Sequence, residues 1–241
     1  MIVGRAKAAF RAHERPPYVV YVVERRDEVR GGPDLQNSYD LKVWLRSADR
    51  SALTRRLWRG VAYGPMEHIT VAFDAEVDPG PPTADVFEAR TFSAAATPAP
   101  QESAPGPPII GDVRVVRDFD YTVRRLRREG AAWHLWLEPK RDPLRNRIDE
   151  LWIDAASDDV ERMRVRDHLY LGLGGNALDE ELDVRFTLRN GLPVIAAIDG
   201  VTAGGEYRTR FEYRVESFPA TLPAWYFRPE QYGAHRAEAP E

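Results

Sequence analysis

The chain has 241 residues, which suits one large domain or two small ones, and we expect one because β-sheet domains of this size are commonly single. It is 43% hydrophobic, with nine Phe, ten Tyr and six Trp, and 30% charged, so we expect a sizeable core beneath a charged surface. A net charge of −4 gives no general attraction to nucleic acid or to anionic lipid. Cysteine is absent, which excludes disulfides and thiolate metal sites.

Two features bear on membranes and location. No apolar run approaches the roughly 20 residues that span a bilayer, so an integral membrane protein is not expected. The opening residues, MIVGRAKAAFRAHERP, lack the apolar core of a signal peptide. We therefore expect either a cytoplasmic protein or one from which a leader has been removed.

The first predicted elements are a helix and a strand. Residues 2 to 13 carry apolar side chains at helical spacing, which predicts a short amphipathic helix with Ile2, Ala6 and Phe10 on its buried face. Pro16 and Pro17 end it. The following run, YVVYVVERR, is β-branched and aromatic on both faces, which predicts a strand covered on both sides near its start.

From Tyr39 the hydrophobic period is two. Apolar residues there alternate with Asp40, Lys42, Trp44 and Arg46, which predicts a strand with one face in water. Further strands are predicted at 53–62, 69–73, 121–123, 131–139, 151–153, 163–165, 184–188, 194–199 and 207–215, with hairpin turns at 129–130 and 190–191. This succession predicts a long antiparallel meander.

The composition changes between residues 75 and 111. This stretch holds eight prolines and few charges, and it is interrupted by ADVFEARTF at 84–92. We interpret it as an insert rather than a domain boundary. Its two aromatic residues, Phe87 and Phe92, favour an ordered lid over a disordered linker, since such linkers contain few aromatics.

No catalytic or metal site emerges from the motifs. The five histidines, at 13, 68, 134, 168 and 235, lack paired metal-ligand spacing, and we interpret them as solvated or edge residues. The acidic clusters at 149–159 and 178–183 raise the alternative of paired carboxylate catalysis, but the first straddles a strand and its turn, where acidic side chains normally face water. Nucleophile-elbow, P-loop and dinucleotide motifs are absent. We expect no enzyme and no cofactor.

Six arginines lie between residues 114 and 128. One interpretation is a basic strip that holds phosphate groups of a lipid or a nucleic acid. The other is that acidic residues in DELWIDAASDDVERMRVRDH pair with arginines across strands on a wet sheet face. We favour the second, and nucleic acid is not an expected partner.

The order of the elements, together with the motifs WHLWLEPK, IDELWID, VERMRV and LPAWYF, resembles the LolA/LolB-like lipoprotein-carrier superfamily of outer-membrane lipoprotein-sorting proteins. The resemblance covers nearly the whole chain. It implies a mainly β, α+β fold: a curved antiparallel sheet or incomplete β-barrel with an N-terminal helix and a lid on its concave side, in one domain over 1–241 with the insert at 75–111. It also implies a periplasmic or cell-envelope location and an apolar cavity that receives acyl chains.

The physics of a curved sheet supports a similar expectation. Its apolar face needs a cover, and two short helical segments are too small to cover so many strands. The part of the apolar face that these segments leave uncovered would be an oligomer interface or an apolar ligand cavity on the order of a few hundred Å³. Trp133 is expected on the concave side with Leu135, whereas Trp136 and Trp152 are expected on the convex side.

The leading functional hypothesis is a non-enzymatic carrier or chaperone whose concave face binds a lipid or the acyl chain of a lipoprotein. The alternative is an envelope sensor or protein-interaction module that uses the same face for a protein partner. A hydrolase would require a nucleophile constellation that the sequence does not contain. The residues expected to contact the ligand are Tyr39, Leu41, Val43, Ile69, Val71, Phe73, Phe87, Phe92, Trp133, Leu135, Phe186, Leu188, Phe211 and Tyr213.

Overall fold

The computed structural model of the chain describes residues 2–31, 39–49, 52–58, 61–69, 121–141, 143, 147–171, 176–238 and 240. Helix α1 spans Ile2–Ala12, and the sheet strands follow as β1 Tyr18–Val29, β2 Tyr39–Arg46, β3 Ala52–Trp58, β4 Val61–Ile69, β5 Tyr121–Glu129, β6 Ala132–Pro139, β7 Ile148–Asp154, β8 Val160–Leu171, β9 Asn176–Arg189, β10 Leu192–Thr202 and β11 Tyr207–Ser217. A C-terminal segment follows, with 3-10 turns at Ala224–Phe227 and Arg236–Glu238 and helix α2 at Pro229–His235.

The strands form one curved antiparallel sheet in the order β4-β3-β2-β1-β11-β10-β9-β8-β7-β6-β5. The chain runs outward from β1 to β4 and then returns from the opposite edge, β5, to place the last strand beside the first. Ten residue pairs join β1 to β11, from Val20 opposite Ser217 to Val29 opposite Tyr207. The sheet does not close into a barrel, so the predicted incomplete barrel is confirmed.

The two predicted hairpin turns are present. Gly130, between β5 and β6, has a φ of 58°, and the Asn190-Gly191 pair between β9 and β10 has φ values of 51° and 78°. Positive φ at both central residues is the geometry that favours Asn-Gly in a two-residue hairpin, because its twist matches that of the strands.

One predicted strand boundary is wrong. The stretch 53–62 was expected as a single strand, but it contains the end of β3 and the start of β4, which pair with each other from Trp58 opposite Val61. Apolar residues on both sides of the reversal, Leu57-Trp58 and Val61-Ala62, stand close together in the sequence and conceal it. The strand expected at 69–73 corresponds in part to the end of β4 at Ile69; Val71 and Phe73 lie outside the described residues.

The main core lies on the concave face. Strands β1–β3 and β5–β11 all contribute buried apolar side chains to it, and α1 adds Val3 and Ala6. Ile2 and Phe10 of α1 are partly buried against the same core. The predicted docking of the N-terminal helix through Ile2, Ala6 and Phe10 is therefore confirmed.

A second core covers the opposite face of the first strands. Trp225, Tyr226 and Phe227 of the C-terminal segment pack there with Val20, Trp44, Leu53 and the partly buried Tyr18 and Leu222. The rings of Phe227 and Tyr18 stack with centroids 5.6 Å apart. The expectation that β1 is covered on both sides is confirmed.

The same cover contradicts the wet face predicted for β2. Trp44 is only 5% exposed, because the ring of Tyr226 packs edge-on against it with centroids 6.2 Å apart. The C-terminal segment lies about 180 residues further along the chain, so the alternation within β2 carried no sign of it. In the described part of the chain, no helix has the length and apolar character needed to cross a membrane.

Candidate functional site

The concave face of the sheet carries the main apolar core. Pairing across neighbouring strands aligns its side chains in rows, since directly opposed residues share a face. One row joins Phe211 to Ile198, Ile198 to Val184, Val184 to Met163, Met163 to Leu151 and Leu151 to Leu135. All of these side chains belong to the main core. The concave face is thus a continuous apolar floor from β11 to β6.

Helix α1 covers one end of this floor. Its Arg5 Nε donates a 2.9 Å hydrogen bond to Oδ2 of Asp158 in the β7–β8 turn. His13, just beyond the helix, places Nε2 3.7 Å from Oδ1 of Asp159 in the same turn. These contacts locate α1 at the end of the sheet that carries the β5–β6, β7–β8 and β9–β10 hairpins.

Part of the apolar face stays in contact with solvent. Val123 is 40% exposed and Leu126 is 46% exposed, both on β5, although they stand opposite the core residues Leu137 and Leu135. Leu188, which continues the alternation of Val184 and Phe186 along β9, is 56% exposed. Exposed apolar side chains are therefore grouped along the β5 side and at the end of β9, as expected of a surface that receives an apolar partner.

The structure brings together half of the fourteen residues expected to contact a ligand. The residues that lie in the main core or pack against it are Leu41, Val43, Trp133, Leu135, Phe186, Phe211 and Tyr213. Four of these are buried, namely Val43, Leu135, Phe211 and Tyr213, whereas Leu41, Trp133 and Phe186 are partly exposed. In this conformation, direct access to a ligand is greatest at the partly exposed members.

The other predicted contacts are less defined. Leu188 is exposed at the end of β9 and is not part of the core. Tyr39 and Ile69 lie in β2 and β4, but their side chains are not described. Val71, Phe73, Phe87 and Phe92 lie outside the described residues, as does the whole predicted insert at 75–111.

Polar residues at one end of the concave face were missed by the sequence reasoning. Arg25 is 1% exposed, lies opposite Phe211 in the β1–β11 ladder, and holds its guanidinium carbon 5.5 Å from the ring centroid. Thr202, Thr209 and Glu180 are also buried. The alternation within β1 could have predicted the burial of Arg25, because Val19, Tyr21 and Val23 lie on the same face of the strand.

On the convex face, Trp136, His134 and Trp152 form a stack. The ring centroid of His134 lies 3.6 Å from that of Trp136 and 4.0 Å from that of Trp152. Arg125 covers the outer side of Trp136 at 4.6 Å and Arg162 covers Trp152 at 4.5 Å. The expected placement of Trp133 on one face and of Trp136 and Trp152 on the other is confirmed.

His134 corrects the interpretation of the histidines as solvated or edge residues. It is 5% exposed, with Nε2 2.6 Å from Oε2 of Glu150 and Nδ1 3.2 Å from Oε1 of Glu129. The flanking tryptophans bury the ring, and Glu150 hydrogen-bonds to Nε2, whereas the Glu129 carboxylate lies near Nδ1 without forming a hydrogen bond of good geometry. In the described residues, no group of three or more His, Asp or Glu side chains is placed to hold a metal ion.

The arginines of the convex face are largely paired. Arg164 bridges Glu150 at 2.8 Å and Glu181 at 3.1 Å, and Arg166 contacts Asp149 at 2.7 Å. Further pairs join Arg162 to Asp183, Arg185 to Asp199 and Arg124 to Glu138. The arginines predicted to form a strip are divided: Arg124 pairs with Glu138 and Arg127 lies 3.9 Å from Glu129, whereas Arg125 and Arg128 lie over tryptophan rings. Residues 114 and 117 lie outside the described residues.

Comparison with known proteins gives matches at the level of structure alone. No protein-family model matches the chain, and no curated protein matches it. A LolA superfamily protein from Nitrosomonas europaea is similar at a TM-score of 0.42 and 12% identity, over 94% of this chain and 95% of that one. A DUF1329 family protein from Desulfovibrio piger is similar at 0.43 and 13%, over 94% and 97%.

A third solved structure, from Vibrio parahaemolyticus, is described as an outer membrane lipoprotein-sorting protein domain. It is similar at a TM-score of 0.43 and 11% identity, over 95% of both chains.

Proposed function

We propose that the concave face binds an apolar chain, from a lipid or from an acylated protein, and that the protein is a non-enzymatic carrier or chaperone. The observation that supports this is the continuous apolar floor of β6–β11, which α1 covers at one end while Val123, Leu126 and Leu188 remain exposed.

The energetics of acyl-chain binding suit such a surface. Burial of each CH₂ group contributes about 0.8 kcal/mol, so a chain of about 14 to 16 carbons gains on the order of 10 kcal/mol before the entropic cost of association is subtracted. No reactive group is needed for this binding. The proposal includes a location in the bacterial cell envelope and a lid formed by the 75–111 insert.

A protein-interaction module is the second candidate. The observation in its favour is that β5 is one of the two edge strands of the described sheet, and eight of its nine residues are exposed. An extended peptide from a partner would bind this edge through main-chain hydrogen bonds and its apolar side chains.

Mass spectrometry of the purified protein under native conditions, followed by lipid extraction, separates the two candidates. A carrier is expected to retain a lipid or to bind added cis-parinaric acid with an increase in that fatty acid's fluorescence. An interaction module is expected to do neither.

A pair of variants on β5 tests whether the concave face is responsible. Leu126→Asn places an amide on the concave side, while Thr122→Asn makes a similar change at an exposed position opposite Glu138, on the convex side. We expect Leu126→Asn to weaken cis-parinaric acid binding about tenfold, from lost apolar contact, and Thr122→Asn to leave it unchanged. Absence of binding by the wild type, or equal effects of the two variants, would contradict the proposal.

A further inference from the structure

The arginines of β5 are divided between the two faces of the sheet. Arg125 and Arg127 stand opposite Trp136 and His134, on the convex face. Arg124 pairs with Glu138, which lies on the same convex side. Arg128 instead stands opposite Trp133, which packs against the main core, so it is the arginine of β5 that lies on the concave side.

Arg128 lies at the rim of the apolar floor. Its guanidinium carbon is 5.0 Å from the ring centroid of Trp133, and its Nε donates a 2.9 Å hydrogen bond to the carbonyl of Gly130 in the adjoining turn. A guanidinium has five N–H donors. Within the described part of the chain, Arg128 forms no ion pair, and its other four donors have no acceptor.

The acidic groups near this rim are already engaged. The Asp154 carboxylate at the end of β7 accepts hydrogen bonds of 2.8 Å from the backbone N–H groups of both Ala156 and Ser157. Asp158 contacts Arg5 of helix α1. Glu129 points to the convex side, where it lies 3.2 Å from His134. Arg128 therefore has no direct carboxylate contact, and the nearest acidic influence on it is the longer-range electrostatic attraction of Asp154.

The same strand continues from Arg128 as an exposed apolar strip. Leu126 and Val123 follow on the concave side, 46% and 40% exposed. At about 3.3 Å per residue, the five steps from Arg128 to Val123 span at most roughly 16 Å, because the register shift between Val123 and Arg125 shortens the strand there. The strip thus combines an apolar length of that order with a single cation at one end. On the other face of β5, the described residues do not place exposed apolar side chains beside a cation in this way.

From this arrangement we propose that the β5 rim binds an anionic amphiphile, with the carboxylate or phosphate of its head group on Arg128 and its chain along Leu126 and Val123. This rests on the proposed function and narrows it, because a carrier of neutral lipids would need no cation at the rim. Guanidinium binds carboxylate and phosphate oxygens through paired N–H donors, and the ring of Trp133 holds it in position.

The test compares an acid with its neutral ester in three proteins: the wild type, Arg128→Gln and Arg125→Gln. Arg125 is the matched control, because it also stacks on a tryptophan of β6 and forms no ion pair with described residues, but it lies on the convex face. Fluorescence titration with cis-parinaric acid and with its methyl ester gives the affinities. Thermal melting checks that the three proteins are equally folded.

We expect the wild type to bind the acid about tenfold more tightly than the ester, the usual effect of one charge-assisted hydrogen-bonded contact. Arg128→Gln is expected to remove this preference by weakening acid binding alone, and Arg125→Gln to preserve it. The preference in the wild type should shrink as salt is raised, because the rim is exposed. Lysophosphatidic acid, which bears a phosphate, and palmitic acid, which bears a carboxylate, are then compared as competitors of the bound methyl ester. Stronger competition by lysophosphatidic acid assigns a phosphate head group to the site, and stronger competition by palmitic acid assigns a carboxylate.

Three results would overturn the inference. One is equal binding of acid and ester by the wild type, which removes the head-group site but leaves the proposed acyl-chain binding intact. Another is an equal loss of both ligands in Arg128→Gln, which makes the residue a packing element. The third is the same change in Arg125→Gln. Failure of both probes to bind any of the proteins removes the proposed function together with this inference.

Discussion

At the scale of single residues, the two faces of one strand have opposite chemistry. On β6, Trp133 packs against the apolar core, while its neighbour His134 lies between two tryptophans and two carboxylates. Alternation places consecutive side chains on opposite faces, so the concave side is apolar while the convex side carries charged and stacked groups. Single residues also stabilise the turns, and Asp154 is the clearest example.

Asp154 leads to a prediction about pH. Hydrogen bonds from the backbone of Ser157 and then of Ala156 hold the pKa of its carboxyl below the ordinary value of 3.8. A lowered pKa means that the charge stabilises the fold above pH 3.8, and that this contribution disappears as the pH falls through the lower folded value. We expect Asp154→Asn to lower the melting temperature at pH 7, with a difference from the wild type that shrinks below pH 3.8.

Glu161 is the control of opposite sign. Its side chain is exposed, but partial desolvation by its neighbours and then the charge of Asp154 raise the pKa of its carboxyl above the ordinary value of 4.5, so its charge opposes folding above that pH. Glu161→Gln is therefore expected to leave the melting temperature at pH 7 unchanged or to increase it. Melting curves from pH 3 to 7 that are parallel for the wild type and Asp154→Asn would contradict this account of the turn.

At the scale of elements, two segments cover the two faces of the sheet. Helix α1 lies on the concave side and the C-terminal segment on the convex side of β1–β3. The convex cover is dense: Arg46 lies 4.7 Å from the ring centroid of Phe227, and Trp225 stacks on His235 at 5.2 Å. The concave cover is less extensive than the convex one: it is helix α1, in which Ala6 is fully buried.

That alanine provides a test of how α1 is attached. Ala6 is fully buried, so Ala6→Glu would force a carboxylate into the apolar core and should lower the free energy of unfolding by about 2 kcal/mol or more. Ala8 lies on the same helix but is exposed. Ala8→Glu should change the free energy by less than about 0.5 kcal/mol. Urea denaturation measures both, and similar midpoints for the two variants would mean that α1 is not docked as described.

At the scale of the whole molecule, the last strand lies beside the first, and the described edges of the sheet are β4 and β5. In sequence, the two edges are separated by residues 70–120, a stretch that includes the Pro-rich insert. We propose that this insert carries a lid, with Phe87 and Phe92 contacting the ligand and prolines stiffening the arms on either side.

The double variant Phe87→Asp with Phe92→Asp tests the lid. The sheet is expected to fold without these side chains, so the far-ultraviolet circular dichroism and the melting temperature should be retained. Retention of cis-parinaric acid should weaken by on the order of 2 kcal/mol or more, because two apolar contacts are lost. Unchanged affinity would exclude the lid while leaving the concave face as a binding surface.

The sequence alone predicted most of the local elements and the apolar face on which half of the expected contact residues lie. The period of two predicted the strands, their hairpin turns and the shared face of Trp133 and Leu135. The helical spacing of Ile2, Ala6 and Phe10 predicted the docked face of α1, and the double-sided apolar run at Tyr18 predicted a strand covered on both sides. Each of these depends on residues close together in the chain, because alternation and turn geometry are set by neighbouring backbone dihedrals.

Only the tertiary structure decided which distant residues meet. It placed β11 beside β1, covered Trp44 with Tyr226, enclosed His134 between Trp136 and Trp152, and separated Arg128 from the other arginines of β5. Alternation assigns a side chain to one of two faces, but it does not say what covers that face. Whether a face is wet, buried or open to a ligand depends on contacts between residues far apart in sequence, and a period within one strand contains no information about them.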